Sequence, residues 1–220
     1  QWVADTSHEL KTPLAVLQAQ IEAMQDGIRK PTQEHFEAML RQVTSLKKLT
    51  QDLADLAQAE AQQLKCYFAE IDPWLVVLQE IENFKPKFEQ ADLTISATGE
   101  GAKLQLDIDR FKQIMVNLLG NSIRYTEAGG EVQVHTEQDA DSWSVIVDDS
   151  PLGLSDEQIV HLGERFYRVD NSRTRSTGGT GLGLALSGKI AQTLGGQLTF
   201  DHSPLGGLRC KLTFSKHTKV

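Results

Sequence analysis

His8-Glu9-Leu10-Lys11-Thr12-Pro13 sets an imidazole, a carboxylate and a hydroxyl within about one helical turn of each other. The flanking residues make that turn helical. Val3, Leu10, Leu17 and Met24 recur every seven residues, with Ser7, Leu14, Ile21 and Ile28 beside them four positions on. This is an apolar stripe at helical period. His8 lies off the stripe, and Thr12 shares its face. A carboxylate beside an imidazole can take its proton and leave a nucleophilic ring nitrogen. A histidine on a solvated helix face is usually only a surface residue. Pro13 argues for more, because inside a helix it removes a hydrogen bond and bends the axis at a cost of about 3 kcal/mol.

Downstream, Gly27-Ile28-Arg29-Lys30-Pro31 ends the first helix and reads as a hairpin connection. Thr32 is the expected N-cap of the next helix, and Glu34 adds negative charge to its first turn. A second stripe follows in Phe36, Met39, Val43, Leu46, Thr50, Leu53 and Ala57, spaced alternately by three and four as in a coiled-coil seam. Residues 1–63 are therefore expected to form a helical hairpin. Alone, such a hairpin leaves one side of each helix bare. Pairing two hairpins into a four-helix bundle covers those sides, so a homodimer is expected.

Residues 66–220 read as mixed α/β, which makes the whole chain α+β. Leu64 to Asp72 has a short strand pattern, and Asp72-Pro73 opens a helix carrying Leu75, Leu78 and Ile81. Leu93 to Ser96 and Lys103 to Leu106 look like strands separated by a glycine-rich turn. A helix is expected from about Asp109 to Tyr125. Two strand pairs follow, Glu131 to Thr136 with Trp143 to Val147, and Gln197 to Asp201 with Leu208 to Phe214. The sum suggests an antiparallel or mixed sheet with helices on one face.

Bulk properties narrow the function. The 220 residues carry 30 Asp+Glu against 22 Lys+Arg, a formal net charge of -8. That argues against a nucleic-acid surface, which needs a basic face. The two cysteines, Cys66 and Cys210, fit no metal-ligand spacing and suit a reduced, intracellular chain. No apolar stretch has the length to cross a bilayer, and no signal peptide is present. Gln1-Trp2-Val3 enters the helical pattern with no cap before it, so an upstream part is expected.

Three elements of the second region suit a nucleotide. Asn117-Leu118-Leu119-Gly120-Asn121 puts two amides one turn apart on one helix face. Neutral oxygens at that spacing suit Mg²⁺, although the pair alone also reads as two surface asparagines. Asp148-Asp149-Ser150-Pro151-Leu152-Gly153 follows a strand directly, so a carboxylate at the strand end can accept from an exocyclic amine such as that of adenine. Gly179-Thr180-Gly181-Leu182-Gly183-Leu184 leads into a helix from Ala185 to Leu194. Glycines there allow close backbone approach, and a helix N-terminus favours phosphate. Before it, Arg165-Phe166-Tyr167-Arg168 precedes a polar segment from Asp170 to Gly178 that looks like a lid over phosphates. The glycine run is not a dinucleotide fingerprint, and it lacks the Lys-Ser/Thr ending of a P-loop.

Order and company make these motifs specific. His8 to Pro13, Asn117 to Asn121, Asp149 to Gly153, Phe166, and Gly179 to Gly183 resemble the H, N, G1, F and G2 boxes of bacterial two-component sensor histidine kinases. The resemblance covers essentially the whole chain. It implies a dimerisation and histidine-phosphotransfer domain at 1–63, then a catalytic ATP-binding domain of the GHKL type, an α/β sandwich, at 66–220. It implies His8 as phosphoacceptor, Glu9 as its general base, and Thr12 as the residue that orients water for dephosphorylating a partner. It implies ATP with Mg²⁺ as cofactors, with Asn117 and Asn121 holding metal and phosphates. Asp149 and Gly153 would read the adenine, with Tyr125 close by. Thr180, Gly181, Leu182 and Gly183 would close on the triphosphate, and Arg168 would contact phosphate. The implied partner is the receiver domain of a response regulator, and the implied location is the cytoplasmic portion of an inner-membrane sensor, tied to the membrane only through an upstream segment. One departure stands out. The G1 pattern usually reads Asp-x-Gly-x-Gly, and Pro151, whose φ is fixed, occupies the first glycine position. A GHKL ATPase of another kind and a catalytically weakened docking scaffold are the rival readings.

Overall fold

In the computed structural model, residues 2–169 and 180–217 are described, with side chains from Leu10 onward among the first ten. The chain divides into two compact units, 1–55 and 56–220. The division falls inside the second helix, so the last turns of that helix belong with the second unit.

The first unit is the expected hairpin. Helix α1 spans Trp2–Gln25 and runs through Pro13. Gly27 ends it in the left-handed region at φ +71, where a side chain would be strained. Helix α2 spans Gln33–Glu60. Its N-cap is Thr32, whose Oγ1 accepts from the His35 N–H at 3.3 Å. Leu17, Leu49 and Leu53 are buried, whereas Leu14, Ile21, Phe36 and Val43 are 49%, 42%, 54% and 50% exposed. Much of each apolar stripe therefore lies bare on a single chain.

The second unit packs helices on one face of a five-stranded sheet ordered β2-β4-β5-β7-β6. Strand β1 (Ala69–Ile71) pairs antiparallel with β3 (Leu104–Leu106) in a separate two-stranded sheet. The first strand is thus much shorter than the stretch from Leu64 to Asp72 suggests. β2 (Thr94–Thr98) pairs parallel with β4 (Glu131–Gln138). β2 and β3 are therefore not hairpin partners, despite the turn between them. The remaining pairs, among β4, β5 (Ser142–Asp149), β7 (Leu208–Ser215) and β6 (Gly196–His202), are antiparallel.

Period-two alternation sets which residues of each strand face the helices, although the central strand β5 is buried on both faces. Val132 and Val134 of β4, Trp143, Val145 and Val147 of β5, and Leu212 and Phe214 of β7 are all buried. Helix α4 (Ile108–Tyr125) packs over this face, with Phe111 against Trp143 and Phe214 at ring separations of 6.4 and 6.0 Å. Asp107 caps α4 by accepting from the Arg110 N–H at 3.0 Å. Helix α3 (Pro73–Gln90) starts at Asp72, whose carboxylate accepts from the Trp74 N–H at 3.0 Å. Its inward face is Trp74, Val77, Ile81, Phe84 and Phe88, while Leu75 is 63% exposed. Leu75 is a correction to the expected stripe: it lies one residue past the first inward position, on the outer side of the helix.

The opposite face of the sheet is mostly polar, with Ile146 of β5 buried among the polar residues. Asp148 of β5 lies directly across from Arg209 of β7, which donates through Nε and Nη2 to its two oxygens at 2.8 Å each. His135 Nδ1 stands 3.7 Å from the same carboxylate. Helix α6 (Gly183–Thr193) packs on α4 and β6, and a short helix α5 (Asp156–Val160) precedes it. α5 carries a capping box between Ser155 and Gln158.

Candidate active site

Helix α4 links the parts of the site. One face of it, at Asn117, meets the start of α6. The amide nitrogen of Asn117 donates to Gly183 O at 3.4 Å and to Ser187 Oγ at 3.3 Å. Five residues on, Ser122 is buried and hydrogen-bonds the Asp149 carboxylate. The separation along the axis is about 7.5 Å at 1.5 Å per residue. Asn117 and Ser122 thus tie the start of α6 and the Asp149 carboxylate to one helix. Asn121 lies on the same helix, half-buried, and Tyr125 is its last residue at 38% exposed.

Asp149 is the carboxylate on the α4 side of the sheet. As neighbours on one strand, Asp148 and Asp149 point to opposite faces, and Arg209 takes Asp148. Asp149 is 8% exposed. Burial pushes its carboxyl up to about 6, while the hydrogen bonds from the Leu208 N–H and the Ser122 hydroxyl pull the other way. The Leu208 N–H donates to Asp149 Oδ1 at 2.7 Å.

The turn after Asp149 is welded to the β6–β7 loop. The Gly207 N–H donates to Asp149 O at 3.1 Å. A Cβ on Gly207 would fall 2.3 Å from Asp149 Oδ1, so this position has no room for a side chain. A Cβ on Gly153 would fall 2.7 Å from Gly206 O. Pro151 rests against Gly206, its Cγ 3.2 Å from where a Cβ would stand. Pro151 therefore takes the first glycine position of this motif while Asp149 keeps its partners. Ser122, Gly206, Gly207 and the Leu208 N–H are members of this site that sequence reasoning missed. Ser203-Pro204-Leu205-Gly206-Gly207 was legible only as a turn.

At the other end, Leu182 caps α6 with its side chain fully buried. Its N–H donates to Thr180 Oγ1 at 3.3 Å. The side chain of Leu182 therefore anchors the loop in the core. Among the described residues, an added Cβ on Gly183 would meet only Asn117, whose Cγ would stand 3.8 Å away. A helix start of this kind suits an anionic group. Among the described residues no group of three or more His, Cys, Asp or Glu could hold a metal. Cys66 and Cys210 are both free.

In α1, His8 and Glu9 belong to the helix, and their side chains lie outside the described residues. Thr12 is exposed on that helix. Arg168 is half-buried after Phe166 and Tyr167. The lid expected from Asp170 to Gly178 lies outside the described residues. No helix among the described residues is long and apolar enough to cross a membrane.

Comparison with known proteins matches these two parts separately. Residues 1–62 match the His Kinase A (phospho-acceptor) domain, and residues 106–218 match the histidine kinase-, DNA gyrase B-, and HSP90-like ATPase family. The chain is 39% identical to the signal transduction histidine-protein kinase BaeS of Escherichia coli, over 94% of this chain and 44% of that protein. It is 35% identical to the sensor histidine kinase YkoH of Bacillus subtilis, over 98% of this chain and 47% of that protein. The chain thus spans less than half the length of these relatives. Among solved structures it resembles the Acinetobacter baumannii histidine kinase AdeS at TM-score 0.82 and 27% identity, over 96% of this chain and 98% of that one. It shares the fold of the histidine kinase ThkA, solved in complex with response regulator protein TrrA, at TM-score 0.76 and 18% identity, over 98% of this chain and 61% of that one. A phospho-acceptor hairpin followed by a GHKL-type ATPase domain, in one chain, makes this protein a member of the sensor histidine kinase family.

Proposed function

We propose that this chain autophosphorylates His8 from ATP and passes the phosphoryl group to an aspartate on the receiver domain of a response regulator. The observation that carries this reading is the buried Asp149 carboxylate, held by the Leu208 N–H and by Ser122 of α4, the helix that five residues earlier meets the start of α6 through Asn117. Asp149 accepts from the adenine amine, and Gly153 keeps the turn close against the β6–β7 loop. Tyr125 lies near the ring. The triphosphate runs along α4 toward Thr180, Gly181, Leu182 and Gly183, where backbone N–H groups and the α6 N-terminus favour its charge. Arg168 adds a cation at the phosphates.

Asn117 and Asn121 fit Mg²⁺ through their amide oxygens, and the bonds from Asn117 to Gly183 and Ser187 hold its amide in place. Bound there, the ion neutralises phosphate charge. Glu9 takes the imidazole proton so that a ring nitrogen of His8 can attack the γ-phosphorus. The transfer forms the N–P bond as the bond to the leaving ADP oxygen breaks, and depends mainly on positioning and charge stabilisation. Thr12, one turn past His8, orients water for the reverse task of dephosphorylating the regulator.

The exposed Leu14, Ile21, Phe36 and Val43 favour a second copy of the hairpin as partner, completing a four-helix bundle. The chain is then the cytoplasmic part of a longer inner-membrane sensor. Incubation with radiolabelled ATP and Mg²⁺ tests the reading. Acid-labile, base-stable label is expected on the wild type and none on His8→Gln. Label then moves to an added receiver domain. A wild type that never acquires label overturns the proposal.

A further inference from the structure

Arg165, Phe166 and Tyr167 are each held by a different element. Arg165 forms an ion pair with Glu60, in the last turn of α2 and the same compact unit. The Tyr167 ring packs on His161 at 5.4 Å between centroids, just past the end of α5. The Phe166 N–H donates to Gly181 O at 3.1 Å. Phe166 sits at φ 61, in the left-handed region. The other non-glycine residues there among the described residues, Gln62 and Asp92, follow the ends of α2 and α3, where that conformation is an ordinary helix stop. Phe166 has no helix to end, and an aromatic residue is a poor choice for that region.

Gly181 explains how the conformation is held. It lies at φ +68, and a Cβ there would stand 2.8 Å from both the Cα and the carbonyl carbon of Phe166. Backbone atoms cannot swing aside as a side-chain tip can. Gly183, two residues on, has ordinary van der Waals room among the described residues. The glycines of one motif thus do separate jobs.

We infer that Gly181 is a positioning residue acting through the Phe166 backbone, a clasp that sets where Phe166-Tyr167-Arg168 stands beside the triphosphate, whereas Gly183 leaves room for the ligand itself. The inference rests on the nucleotide-binding reading above. It assigns Gly181 a task in the free protein, before any ligand arrives.

Amide hydrogen exchange at Phe166 without nucleotide tests it, alongside titrations with ATP and with adenosine. In Gly181→Ala, exchange at Phe166 is expected to quicken about tenfold as the bond to Gly181 O is lost. ATP weakens about tenfold, while adenosine, which meets only the Asp149 end, stays within about twofold. Gly183→Ala weakens ATP and leaves Phe166 exchange at the wild-type rate. Should Gly181→Ala fail to fold by thermal melting, His161→Ala removes the neighbouring ring contact and is expected to quicken Phe166 exchange about threefold. Unchanged exchange in both Gly181→Ala and His161→Ala, or equal loss of ATP and adenosine in Gly181→Ala, overturns the clasp. Because the exchange arm uses no nucleotide, its failure is distinct from a wild type that binds no ATP, which would instead overturn the functional reading.

Discussion

The hairpin and the nucleotide-binding unit solve the burial problem in different ways. In the second unit Phe111, Ile114, Leu119, Val145 and Leu186 are all 0% exposed, and the sheet and its helices enclose them completely. In the hairpin Phe36 is 54% and Val43 50% exposed on helices of comparable length. Where apolar side chains do go under in α2, they share the space with Asp52, a buried carboxyl whose pKa burial pushes up. One region carries its own core. The other presents half of one, and the proposed pairing of two hairpins would supply the rest.

The most severe way to break this contrast is to empty the enclosed core. Phe111→Ala is expected to cost about 3–5 kcal/mol, because its ring packs on Trp143 and Phe214 and no solvent can fill the gap. Phe36→Ala should leave single-chain stability almost unchanged and weaken self-association instead. Urea unfolding of both, with sedimentation of the second, measures the difference. Equal losses of stability would show the hairpin to be as self-sufficient as the sheet unit.

Asp149 supplies the next largest effect. Its carboxyl rises from 3.8 in the open chain to about 6 when folded. The folded state therefore holds the proton more tightly, and stability without ligand falls as pH climbs from about 4 to about 6, by about 3 kcal/mol in total. Nucleotide affinity moves the opposite way, since the ionised form accepts better from an amine, and rises with pH through the same window. Asp149→Asn is expected to flatten both profiles and weaken ATP about tenfold at pH 7.5. Calorimetric titration and thermal melting at several pH values check this. A wild-type affinity independent of pH would place the adenine elsewhere.

Caps give the smallest effects, and they sharpen the comparison because both units use them. Thr32→Ala in the hairpin and Asp72→Ala in the sheet unit should each cost about 1 kcal/mol. The Thr32 change should show only at protein concentrations where the hairpin is paired, as chemical denaturation at two concentrations would reveal.

Much of this was legible from spacing. The stripes of α1 and α2, the Thr32 and Asp72 caps, and the helix carrying Asn117 and Asn121 follow from local periodicity and capping chemistry. What local signals do not carry is pairing between distant strands. β2 meets β4 in parallel and β3 turns back to β1, so the glycine-rich turn between β2 and β3 misleads about both. Helix α5 escaped because it has no buried residue to create a stripe, although Ser155 and Gln158 spell its capping box. Leu208 contributes through its N–H, which any residue but proline owns, so no side-chain pattern announces it.

The tie between Asp148 and Arg209 on the far side of the sheet bears on which carboxylate the cleft receives. A slip of one position along β5 would turn Asp148 inward and carry Asp149 to the outer surface, since successive residues face opposite ways. Such a slip would abandon a two-pronged guanidinium bond to a buried carboxylate. The outer pair thus works as an alignment key, fixing the strand so that Asp149, the proposed acceptor for the base, stays on the inner face.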